Sequence, residues 1–69
     1  MNAFEYNREN LVDAYNRASD VAETLERLLE FVLAMGMHDT LTSLNLSAAR
    51  GGLVAAKADL DRRIRFASE

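Results

Sequence analysis

From Phe4 to Met35, apolar residues recur every seven positions along two lines. One line holds Phe4, Leu11, Ala18, Leu25 and Val32, and the other holds Asn7, Ala14, Val21, Leu28 and Met35. Only Asn7 is polar. Alternating steps of three and four place both lines on one side of an α-helix, a period no strand shares. Tyr15, Ala22 and Leu29 lie alongside and widen the stripe to that of a core-facing helix. The chain contains no proline, so nothing breaks the pattern before Gly36. Asn2 with Glu5 three positions on has the form of a capping box. The pattern predicts a first helix over residues 2–35, roughly 50 Å long at about 1.5 Å per residue.

Met35-Gly-Met-His-Asp-Thr40 is the clear turn. Gly36 suits the left-handed position that follows a helix end, and Asp39 or Thr40 can cap the next helix. A second stripe then runs through Leu46, Ala49, Leu53, Ala56, Leu60, Ile64 and Ala67. Its weak point is 45–47 followed by Gly51 and Gly52, since each glycine costs roughly 1 kcal/mol against alanine inside a helix. Two readings follow. A continuous second helix over 40–67 is favoured by the strongly helical run AAKADLDRRIR. The alternative ends a short helix near 45–47 and starts another near Ser47.

Two helices and one tight turn imply an all-α, antiparallel two-helix hairpin forming a single domain over 1–69. Charge supports the fold-back. Seven acids accompany three arginines between Ala3 and Met35, whereas five bases accompany three acids from Thr40 onward. The hairpin is therefore expected to bring Arg62, Arg63 and Arg65 towards Glu5, Glu9 and Asp13. At 69 residues such a chain is small for a single core.

Apolar residues exceed what one helix–helix seam can use. Tyr6, Val12 and Phe31 lie off the first stripe. Opposite the Leu53 stripe, the second helix carries Leu44, Ala48, Gly51, Ala55 and Ala58, with Leu41 and Phe66 nearby. Small residues flanked by large ones admit another helix, whereas a solvated face would carry Glu, Lys and Gln. Alanine is also simply a good helix former. The sequence thus predicts a second buried face, used for homodimerisation into a helical bundle or for a foreign protein. Asn7, with Asn10 close by, either fixes register within a core or sits at a wet helix end.

Catalytic chemistry finds little to work with. The chain has no cysteine and a single histidine, His38, which falls in the turn beside Asp39. Two adjacent ligands do not make a metal site. Ser43, Ser47, Thr40 and Thr42 have no base arranged by spacing, and capping suits them better. Glu23, Glu26 and Glu30 fall on the outer side of the first helix and read as solvation. Arg50-Gly51-Gly52 lacks the Gly-Lys-Ser/Thr and the preceding strand of a phosphate loop. Arg50, Lys57, Arg62 and Arg63 leave a second reading, in which subunits gather an anionic ligand such as a nucleotide second messenger. No cofactor or metal is expected.

Net charge is −3, which argues against a general nucleic-acid binder. No apolar run reaches the ~20 residues a membrane span needs, and the N-terminus lacks the basic and apolar blocks of a secretion signal. The expectation is a cytoplasmic, non-enzymatic protein that binds itself and another protein. No family motif is present; short acidic all-helical chains without catalytic residues are common among type III secretion chaperones, toxin–antitoxin components and phage-encoded inhibitors. An inhibitor or adaptor that binds through exposed apolar and acidic surface is expected, in a phage or mobile-element setting. A purely structural subunit is the remaining alternative.

Overall fold

The computed structural model describes residues 6–67. Two helices, α1 (Arg8–Ala34) and α2 (Leu41–Phe66), pack along each other as a hairpin, and no strand occurs among the described residues. The molecule is a rod of 47 × 21 × 17 Å. Its Cα radius of gyration is 15.3 Å, against about 11 Å for a compact globule of this length.

The first helix begins later than the heptad implies. Asn7 is its N-cap, in extended backbone conformation (φ −132°, ψ 171°). Its Oδ1 accepts from the Asn10 backbone N–H at 2.8 Å. Asn7 therefore sits at the helix end, the second of the two places considered, and caps it rather than fixing register within a core. Its short amide satisfies one of the amide donors that every helix start leaves without a partner. The capping box expected from Asn2 and Glu5, like Phe4 of the heptad, lies outside the described residues.

The turn is built from three devices. Gly36 N–H donates to Leu33 O at 2.9 Å and Met37 N–H to Val32 O at 3.3 Å. This pair of bonds is the Schellman closure, which needs a left-handed residue between them. Gly36 supplies it at φ 88°. Asp39 also has positive φ, 57°, a conformation that Asp tolerates better than most residues. Thr40, the alternative cap, starts α2. Its Oγ1 accepts from Ser43 N–H, and Ser43 Oγ accepts from Thr40 N–H, both at 3.1 Å. Ser43 is buried, but this reciprocal bonding leaves its hydroxyl satisfied.

Helix α2 is unbroken, so the interruption considered near 45–47 does not occur. Asn45, which could have drawn the backbone into a turn, donates its side-chain amide to Leu41 O at 2.8 Å, one turn back along the helix. Gly51 and Gly52 are helical, with no heavy atom within 4 Å of where a Cβ would sit. They are not spaces for close packing between α1 and α2.

The core is thin. Among the described residues the buried apolar side chains are Leu11, Leu29 and Val32, at 7, 7 and 5% exposure. Ala14, Tyr15, Ala18, Ala22 and Leu25 on α1 are half-buried, as are Leu46, Leu53, Leu60 and Ile64 on α2. The seam therefore runs between the 11/18/25/32 line and the 15/22/29 line. The other heptad line turns outward, with Val21, Leu28 and Met35 exposed at 54, 46 and 56%. On α2, Ala49 and Ala56 of the expected stripe are exposed too. A single neighbouring helix covers only part of each helix's circumference, and here both apolar surfaces are wider than that.

Fold-back brings Arg63 to Tyr6 at the start of the first helix, and Glu5 lies outside the described residues, but the expected pairing is corrected. Arg63 and Arg62 both engage Asp59, and Arg65 engages Asp61 at 2.8 Å. Carboxylates one turn back on the same helix lie within reach without ordering a long side chain across the hairpin. Asp13 likewise pairs with Arg17 at 3.0 Å.

With so few buried side chains, replacement of the deepest leucine is expected to be felt most. Leu29→Ala should destabilise by about 2–3 kcal/mol, the lower part of the range for buried leucines. Half-buried Leu53→Ala should cost less, and exposed Leu44→Ala less still. Urea titration of the three variants checks the order; equal losses at 29 and 44 would contradict it.

Candidate interaction surfaces

The two flanks of the hairpin differ in chemistry. On one flank, Arg50 Nε lies 3.8 Å from Glu26 Oε2, and Lys57 Nζ stands 5.1 Å from the centre of the Tyr15 ring. Both contacts cross from α2 to α1. Between them runs a shallow groove lined by Tyr15, Ala22, Val54, Lys57, Ala58 and Asp61. This flank is closed by charge and by a cation–π contact.

An α-helix turns about 100° per residue, which places Val21, Leu28 and Met35 on the α1 side of the opposite flank. The α2 side of that flank carries Ala49, Gly52 and Ala56. All six are exposed. Bulky side chains on α1 thus border small ones on α2. Near the open end the flank finishes at Arg63, whose Nη1 donates to Tyr6 Oη at 2.9 Å.

The outer side of α2 is a third surface. Leu41, Leu44, Ala48, Gly51, Ala55 and Ala58 are all exposed there, Leu41 at 79%. None of them is charged, over a span of roughly 25 Å at about 1.5 Å per residue. The remaining members of the expected interaction surface are exposed but dispersed. Phe31, at 64%, lies towards the turn. Val12 borders Asn7, Arg8 and Glu9 at the start of α1. Tyr6 and Phe66 lie at the open end, where they line a depression with Arg62, Arg63 and Ala67. Sequence reasoning found the exposed residues of α2 but missed the flank, because it assigned Val21, Leu28, Met35, Ala49 and Ala56 to the α1–α2 seam.

The four cations of the anion-binding reading are engaged separately. Arg62 and Arg63 converge on Asp59, while Arg50 faces Glu26 and Lys57 faces Tyr15. The Arg63 hydrogen bond holds the Asp59 carboxyl below its ordinary value of 3.8. The same bond, with that to Tyr6, raises Arg63 further. His38 is exposed in the turn. No cluster of three or more potential metal ligands occurs among the described residues. Nor, among them, is any helix long and apolar enough to cross a membrane.

No protein family matches the sequence, and no curated protein or solved structure matches it. The surfaces above are therefore the basis for a functional reading.

A carboxyl whose folded-state pKa is lowered contributes stability above its unfolded pKa and loses it as pH falls through the folded value. Asp59, lowered from 3.8, should therefore lose its hold on the last turns of α2 below about pH 4. Protection of the amides at 62–66, measured against their intrinsic exchange at each pH, should fall there on acidification. Asp59→Asn should abolish the pH dependence; an unchanged profile in that variant would assign it to another group.

Proposed function

We propose that this chain is a small, non-enzymatic protein–protein interaction module. It works as a homodimeric helical bundle and binds another protein, to inhibit or escort it, through apolar surface left uncovered. The observation that carries the reading is the surplus of exposed apolar surface. Ten large hydrophobic side chains among the described residues are exposed, from Val12 at 38% to Phe66 at 82%. The molecule exposes 5351 Å², whereas a compact monomer of this mass would expose about 4300 Å². The excess, on the order of 1000 Å², is comparable to the ~800 Å² each partner contributes to a standard interface.

The outer side of α2 is the candidate surface for the foreign partner. Its uncharged row from Leu41 to Ala58 suits an amphipathic helix laid along it, anchored by Leu41 and Leu44 at the turn end. The arginines do not support the ligand-sponge reading equally, because Asp59 and Glu26 already draw three of them.

Sedimentation equilibrium at micromolar concentration is the test. The expected mass exceeds the 7.7 kDa of one chain. A monomer with full helicity would overturn self-association. Ala55→Glu, on the outer row, should leave that mass unchanged and abolish capture of a partner protein from host lysate. A variant that captures the same protein as wild type would remove the outer row from the binding surface.

A further inference from the structure

We draw no further inference here: the strongest candidate, the exposed apolar flank formed by Val21, Leu28 and Met35 on α1 with Ala49, Gly52 and Ala56 on α2, is an unpartnered face, and nothing in the structure shows what covers it.

Discussion

A pair of helices has only one seam to share, and most features of this hairpin follow from that. Each helix buries only about a third of its circumference against the other. Here α1 carries three adjacent apolar lines and α2 is uncharged over much of its outer side. Pairing places Leu11, Leu29 and Val32 inside and leaves Val21, Leu28 and Met35 on the surface. No rearrangement within one chain removes the conflict. Rotating α1 to bury Leu28 would expose Leu29, which lies about 100° away.

The turn turns this limited contact into a defined fold. The Schellman bonds at Gly36 and the Thr40–Ser43 box fix where α1 ends and α2 begins. They therefore fix which residues stand level along the seam. Across the helices, Glu26–Arg50 and Tyr15–Lys57 hold one flank, and Tyr6–Arg63 holds the open end. These contacts are solvent-exposed and individually weak. Their value is orientation. They occupy one flank with charge and a cation–π contact, while Arg63 closes the open end of the other.

The two helices, their antiparallel pairing and the Gly36 turn were legible in the sequence because they depend on local pattern. Period, glycine placement and cap chemistry act over a few residues. The start of α1 was misplaced for a related reason. Asn7 fell on a heptad line, and Asn2 with Glu5 offered a cap nearer the usual pattern than Asn7 with Asn10. The partners of Arg62, Arg63 and Arg65 were misjudged because net helix charge says nothing about reach. Asp59 and Asp61, one turn away, hold them before the opposite helix can. Periodicity also cannot say which neighbour covers a stripe. The lines through Val21 and Ala49 were assigned to the α1–α2 seam, and the structure leaves their side chains exposed.

The thin core and the bare flank bear on each other energetically. A chain of this size gains little from burial within itself, and three buried apolar side chains leave a small margin over the entropy of ordering two helices. Covering the flank would add Leu28, Met35 and Val21 to the core, so that association would supply part of the folding free energy. In such a system the folded state gains with protomer concentration by mass action. Gly51 and Gly52 each weaken α2 within one chain, and neither has a heavy atom within 4 Å of where a Cβ would sit. An alanine at either position would therefore strengthen the single hairpin without displacing a neighbour.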